Sequence, residues 1–169
     1  MRFLINDMVQ YGTSGICKIT GTEKKRIMQQ EREYYVLQPV FDPGSMIYIP
    51  ADNEALLSKM HRLLNEQEIH ALLVCSAGGA DIWIEDRQQR ADAYRALLAR
   101  GDRTELLCLI RTMDRHEKQQ LKRGKKLNLA DERLYKAAQK VLYDEFAFVL
   151  HMQPEEVAAL VLAEPAVVQ

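Results

Sequence analysis

The sequence predicts an α+β protein in which a small strand-rich domain precedes a helical one. Two patterns indicate this order: about fifty N-terminal residues carry short β-branched and aromatic runs, and about a hundred that follow carry apolar residues at the helical period. The 169 residues are 47% hydrophobic, which is enough apolar material for two small cores. We place the boundary after Asp52, so the predicted domains are residues 1–52 and 53–169.

The N-terminal domain is predicted to hold four or five short strands. Met8–Tyr11 and Ile16–Thr20 are β-rich runs joined by Gly12–Gly15, whose two glycines permit the positive φ angles of a tight connection. Glu33–Gln38 gives a third strand, and Met46–Ile49 gives another that Pro50 ends. Short, non-local strands in so few residues predict a small curled β-barrel of SH3 or Tudor type.

Beyond Pro50 the apolar period becomes helical, and a compact all-α domain of about five helices is predicted. A helix capped by Asp52 or Asn53 is followed by a second helix around Ile69–Leu73, which the glycines Gly78–Gly79 end. The apolar residues assigned to the first of these helices are Leu56, Leu57, Met60, Leu63 and Leu64.

Capping signals define the helices that follow. Gly101 closes one helix, and Asp102 with Glu105 three residues later forms a predicted capping box for the next. Asn128 with Asp131 repeats this pattern ahead of a long helix. The spacing therefore predicts three consecutive helices with defined ends.

A last helix is predicted to begin at Pro154, because proline suits the first helical position. Its apolar stripe of Val157, Leu160 and Val161 favours packing against the helical domain over binding a partner. The tail as a whole, residues 154–169, shows no further motif.

Positive charge is concentrated in one segment of a nearly neutral chain. The chain has 23 Lys and Arg against 24 Asp and Glu, whereas residues 87–126 hold twelve basic and five acidic residues. Within that segment Arg111, Arg115, Lys118 and Lys122 recur at three- and four-residue spacing, so one helix face could follow a phosphate backbone. The alternative is a solvated face in which acidic neighbours neutralise these charges.

Trp83 is the only tryptophan, and it precedes the arginine-rich helix. One interpretation is an apolar anchor for the helical domain, and the other is a wedge that enters the DNA minor groove beside a basic helix. The residues alone leave both interpretations open.

The order of residues in both halves resembles the CarD-like (CdnL) family of bacterial transcription regulators. The segments that carry this resemblance are Asn6–Gly12, Gly15–Ile16, Tyr34–Leu37, Ile47–Pro50 with Asp52–Asn53, Leu98–Asp102, Arg111, and Leu127–Asp131 with Ala138 and Val141–Leu142.

This resemblance implies an N-terminal Tudor-like domain, like that of transcription-repair coupling factors, that binds the β-subunit lobe of RNA polymerase. It also implies a helical domain that contacts promoter DNA at the upstream edge of the bubble and stabilises the open complex. Ungapped alignment from Gly101 puts the tryptophan position of several relatives at Arg87, one turn after Trp83. The expected polymerase contacts are Lys24, Lys25, Arg26 and Tyr48, and the expected DNA contacts are Trp83, Arg87, Arg90, Arg111, Arg115, Lys118, Lys122, Arg123, Lys125 and Lys126.

The competing hypothesis is an adaptor that binds polymerase or another protein through the barrel without touching DNA. An enzyme is not predicted, because no HExxH, GxSxG or phosphate-binding glycine motif occurs, and no cofactor or metal is expected. Cys17, Cys75 and Cys108 are read as buried free thiols. Because the sequence has no signal-like or membrane-spanning apolar run, we expect a cytoplasmic protein. On its own it is expected to bind DNA weakly and without sequence specificity. It is expected to be a monomer, with a domain-swapped dimer as the alternative.

Overall fold

The computed structural model describes residues 2–75 and 79–163, and its contacts divide the chain into two compact units, Met1–Leu63 and Leu64–Gln169. The first unit holds a sheet and the second holds helices, so the predicted α+β class is confirmed. Gly78 of the predicted glycine break and residues 164–169 of the predicted tail lie outside the described residues.

The first unit is a five-stranded antiparallel sheet in the order β4-β3-β2-β1-β5. The predicted tight connection is a single 3₁₀ turn, Gly12–Ser14, between β1 and β2; Gly12 begins it and Gly15 follows it, with φ angles of 46° and 75°. The strands are β1 (Met8–Tyr11), β2 (Gly15–Ile27), β3 (Gln30–Pro39), β4 (Ile47–Pro50) and β5 (Met60–Arg62).

The helix predicted across Leu56–Leu64 is wrong in its second half. The first helix, α1 (Glu54–Leu57), ends after one turn, and Met60–Arg62 instead pairs with β1 as an edge strand. Leu57 and Met60 are both buried in the core of the sheet. Their helix-like spacing therefore belongs to one helical turn followed by a strand. The contact division therefore falls after Leu63 and not after Asp52.

The second unit contains five α-helices among its described residues. As predicted, Asp102 and Asn128 cap helices, because the side chain of each accepts a hydrogen bond from the backbone N–H three residues later. Gly101 ends a helix in the left-handed conformation, also as predicted. The Glu105 side chain does not complete the predicted box, because it binds Arg100 instead. The helices are α2 (Glu66–Val74), α3 (Arg87–Arg100), α4 (Arg103–Lys122), α5 (Leu129–Leu150) and α6 (Pro154–Leu162).

The core of the second unit forms where α4 and α5 pack together, with α3 and α6 beside them. Val157 and Val161 of α6 are completely buried in this core, which confirms that the tail stripe packs on the helical domain. Cys17 and Cys108 are buried as predicted, but Cys75 is exposed because it follows the last turn of α2.

Candidate nucleic-acid interface

A polar cleft of about 330 Å³ lies in the helical unit, where the segment before α3, the end of α4 and the start of α5 meet. Residues predicted from the sequence as DNA contacts form much of its lining: Trp83, Arg87, Arg90, Lys125 and Lys126. The remaining lining residues are Glu85, His116, Gln120, Leu127, Asn128 and Asp131.

The Trp83 indole contributes one wall of the cleft and is covered on both faces. The His116 imidazole stacks on it with ring centroids 3.4 Å apart and ring planes inclined by 16°. The guanidinium carbon of Arg90 lies 4.2 Å from the indole centroid. Two groups this close to the indole centre would overlap on one face, so they occupy opposite faces. This arrangement favours the anchor interpretation of Trp83 over the wedge.

Arg90 is buried and bonded within its own unit, which disfavours its prediction as a DNA contact. Its Nε and Nη2 donate to the two carboxylate oxygens of Asp131 at 2.9 and 2.8 Å, and both side chains are buried. Its Nη1 donates to the backbone carbonyls of Ile84 and Glu85. Arg90 therefore fixes the segment before α3 to the first turn of α5 and supports the indole.

The position of His116 makes its charged form unfavourable. Burial lowers the pKa of this imidazole from 6.5, and the nearby positive charge of Arg90 lowers it further. The carboxylates of Asp131, Glu85 and Asp81 act in the opposite direction without reversing the shift. His116 thus stacks on Trp83 as a neutral ring at neutral pH.

Three cations on the cleft rim are not neutralised. Arg87, Lys125 and Lys126 are exposed, and no side-chain hydrogen bond or ion pair joins them to a described residue. Lys122 and Arg123, at the end of α4, are also exposed and precede the two lysines along the chain. The rim is therefore the part of the predicted DNA surface that stays positive in the folded protein.

The predicted basic face of α4 is not formed, and Arg111 shows why. This side chain is buried, and it donates to the carbonyl oxygens of Leu73 and Val161 in the last turns of α2 and α6. Burial lowers the pKa of Arg111, and the negative ends of the two helix dipoles favour its charge. Arg111 is a buried residue of this unit, which disfavours its prediction as a phosphate contact.

Acidic neighbours neutralise the next two members of that face. Lys118 forms an ion pair with Asp114 at 2.8 Å, and Arg115 lies 3.9 Å from Asp81. The sequence spacing was compatible with either outcome, because a helical period does not show which charges have partners. The positive surface thus lies at the cleft and not along α4.

In the first unit, the basic residues Lys24–Arg26 lie on a projecting hairpin. Residues 15–18 of β2 pair with β1, and residues 34–37 of β3 pair with β4. In contrast, Lys24–Ile27 pairs only with Gln30–Glu33, a part of β3 that has no other partner strand. This outer part is a two-stranded ribbon whose tip exposes Met28 almost completely.

Lys25 and Tyr48 meet on this unit although they are far apart in sequence. The Lys25 ammonium lies 3.3 Å from the centroid of the Tyr48 ring, a cation–π contact that joins the hairpin to β4. β4 is an edge strand, so the backbone groups on its outer side have no partner in the sheet. Two of the four predicted polymerase contacts therefore form one patch beside an open strand edge.

Comparison with known families places the chain in a class of protein, the transcription regulators that interact with RNA polymerase. Residues 3–61 match the CarD-like/TRCF RID domain, and residues 83–162 match the C-terminal domain of CarD. The chain belongs to the CarD-like family, a bacterial family of non-enzymatic transcription factors that interact with RNA polymerase. No curated protein matches the chain significantly.

Across the described residues, no helix is long and apolar enough to cross a membrane. The same residues contain no group of three or more His, Cys, Asp or Glu side chains arranged to hold a metal ion.

Proposed function

We propose that this protein docks on the β-subunit lobe of RNA polymerase through its first unit and stabilises the open promoter complex through the cleft of its second unit. The observation that carries the proposal is the set of unpaired cations Arg87, Lys125 and Lys126 at one cleft, in a chain with a net charge of −1. Phosphate oxygens of the DNA backbone are the anions that such a rim fits.

Docking would make this weak DNA contact effective. A few phosphate contacts from a nearly neutral protein give low affinity for free DNA and a marked dependence on salt. Tethering to polymerase makes the same contact intramolecular, at a high effective concentration. Contacts made only to the opened DNA would slow its collapse, because they are lost when the bubble closes.

The docking surface proposed for the first unit is the β4 edge together with the basic hairpin. An edge strand can pair with a strand of a partner, and charges beside it can select the partner's acidic surface. The cation–π contact holds Lys25 over Tyr48 and so fixes the position of one such charge.

The test is the lifetime of a heparin-challenged open complex of the host RNA polymerase on a ribosomal RNA promoter, with and without the protein. We expect the protein to lengthen the lifetime, and the triple substitution Arg87→Ala, Lys125→Ala and Lys126→Ala to remove most of the effect. The matched control removes the same types of charge from exposed positions of α5: Arg133→Ala, Lys136→Ala and Lys140→Ala.

The adaptor hypothesis has one observation in its favour, which is the neutralised face of α4. It predicts co-elution with polymerase without any change in open-complex lifetime. If neither co-elution nor a longer lifetime is found, both hypotheses are wrong.

A further inference from the structure

The Trp83 cleft has the dimensions and chemistry of a site for a small ligand, beyond a surface that follows a DNA backbone. Its volume of about 330 Å³ lies within the range of ligand-binding pockets. The phosphate backbone of duplex DNA presents a convex surface, and cations on a protein surface are enough to bind it. A concave site behind the cations therefore suggests that a second part of the ligand enters it.

The interior of the cleft provides groups that suit a nucleobase. Leu127 and Trp83 contribute apolar surface, and Gln120 supplies an amide. The Gln120 Nε2 lies 3.2 Å from His116 Nε2, while the side-chain oxygen of Gln120, Oε1, has no partner among the described residues. That oxygen can accept a hydrogen bond from a base amino or imino group.

We propose that the cleft holds one unpaired nucleotide, with its phosphate on Arg87, Lys125 and Lys126 and its base directed towards Gln120 and Leu127. The inference depends on the proposed function in one respect: the nucleotide is taken to come from a DNA strand opened at the promoter. A base within a duplex cannot enter a concave site, because its edges are paired and its faces are stacked. Insertion of the Trp83 ring between base pairs is a separate mode, which the covered indole faces disfavour.

The single tryptophan makes the test direct, since Trp83 emission reports on the cleft alone. The full chain is titrated with a fluorescein-labelled thymidine oligonucleotide, its duplex, thymidine monophosphate and inorganic phosphate. Anisotropy of the label measures binding of the single strand and the duplex, and Trp83 emission reports binding of all four ligands at the cleft. We expect the single strand to change both signals saturably and to bind more tightly than the other three.

Substitutions then connect binding to the rim. Lys125→Ala and Lys126→Ala should each weaken single-strand binding about tenfold, since a hydrogen bond to a charged group contributes that much affinity. Each should also reduce the magnitude of the slope of log K against log salt by about 0.7, the value for one phosphate contact on a single strand. The α5 control with Arg133→Ala, Lys136→Ala and Lys140→Ala should keep the wild-type emission change. These side chains are exposed, so unfolding curves are expected to stay unchanged.

Four results would overturn the inference. Anisotropy that rises without a change in Trp83 emission would place the strand elsewhere, and an equal response to inorganic phosphate would reduce the cleft to an anion site. Equal affinity for thymidine monophosphate would make a free nucleotide the ligand in place of a strand. Duplex binding as tight as single-strand binding would remove the requirement for an unpaired base. Polymerase is absent throughout, so a lengthened open complex in the separate assay would leave the proposed function standing after any of these results.

Discussion

At the scale of the residue, the arginines of this protein divide into two groups by burial and partners. Arg90 and Arg111 are buried and bonded to groups of their own unit, whereas Arg87 is exposed on the cleft rim. Burying a guanidinium without partners is costly, so a buried arginine is tied to a fixed network. The same residue type thus builds the cleft in one position and is free to bind in another.

The Arg90–Asp131 pair leads to a prediction about stability. Arg90→Ala should lower the free energy of unfolding by about 3–5 kcal/mol, because it leaves the Asp131 carboxylate buried without its main partner. Replacing both residues, with Arg90→Met and Asp131→Leu, should recover much of this loss. Urea unfolding monitored by circular dichroism measures both values. A loss from Arg90→Ala no larger than that from Lys136→Ala, an exposed position, would show that the pair contributes little.

His116 gives a prediction about pH. Because its pKa is lower in the folded protein than the ordinary 6.5, the unfolded chain takes up the proton first as the pH falls. Its contribution to stability should therefore be complete above about pH 6.5 and decrease as the pH falls towards the folded-state pKa. Urea unfolding between about pH 7 and pH 5 should show this loss for the wild type and a smaller one for His116→Gln.

His70, which is exposed on α2, provides the matched control for this measurement. His70→Gln should keep the wild-type dependence on pH. A His116→Gln profile identical to that of the wild type would mean that the His116 proton is not linked to folding.

At the scale of the element, the sequence defines the caps of the long helices better than it defines the short edge strand of the sheet. Asp102 and Asn128 cap α4 and α5 as predicted, since capping depends on residues within one turn. The strand β5 was missed because an edge strand of three residues depends on its partner β1 and carries no pattern of its own.

Gly101 allows a test of one helix end. It ends α3 with a φ of 67°, a conformation in which a Cβ is unfavourable. Gly101→Ala should lower the free energy of unfolding by about 1 kcal/mol. Thermal and urea unfolding measure the change, and Gly21→Ala is the control, because its φ is not positive and no atom lies within 4 Å of the added Cβ. Equal effects of the two substitutions would contradict the explanation by backbone conformation.

At the scale of the whole molecule, the chain assigns its two proposed contacts to two compact units. The first unit carries the strand edge and the Lys25–Tyr48 patch, and the second carries the cationic cleft. A net charge of −1 disfavours general attraction to nucleic acid, so each contact depends on local charge. Substitutions in one unit should then affect one contact and leave the other unchanged.

Lys25→Glu tests this separation. It removes the cation from Tyr48 and places an acid at the proposed docking patch, so polymerase association should weaken by on the order of 1 kcal/mol or more. Biolayer interferometry with immobilised polymerase measures this change. Lys59→Glu makes the same charge change at an exposed position of the first unit and should bind like the wild type. Wild-type affinity of Lys25→Glu would place the docking surface elsewhere, and altered single-strand binding would contradict the division between the units.

The sequence by itself determined the α+β class, the order of the two units, the caps of the long helices and the family. These features depend on local periodicity, on capping within one turn and on the order of residues, all of which are present in the chain before it folds. It also indicated Arg87, Lys125 and Lys126 as members of one basic segment, with Trp83 just before it.

Only the tertiary structure decided which of the basic residues are free. Arg90 and Arg111 are bonded to residues 41 and 50 positions away, and such partners cannot be read from spacing along one helix. His116 and Gln120 became part of the cleft because the end of α4 packs beside Trp83, and no motif marks them in the sequence. Burial and partnership are properties of packing between distant segments, which is why the cleft appeared only in the folded protein.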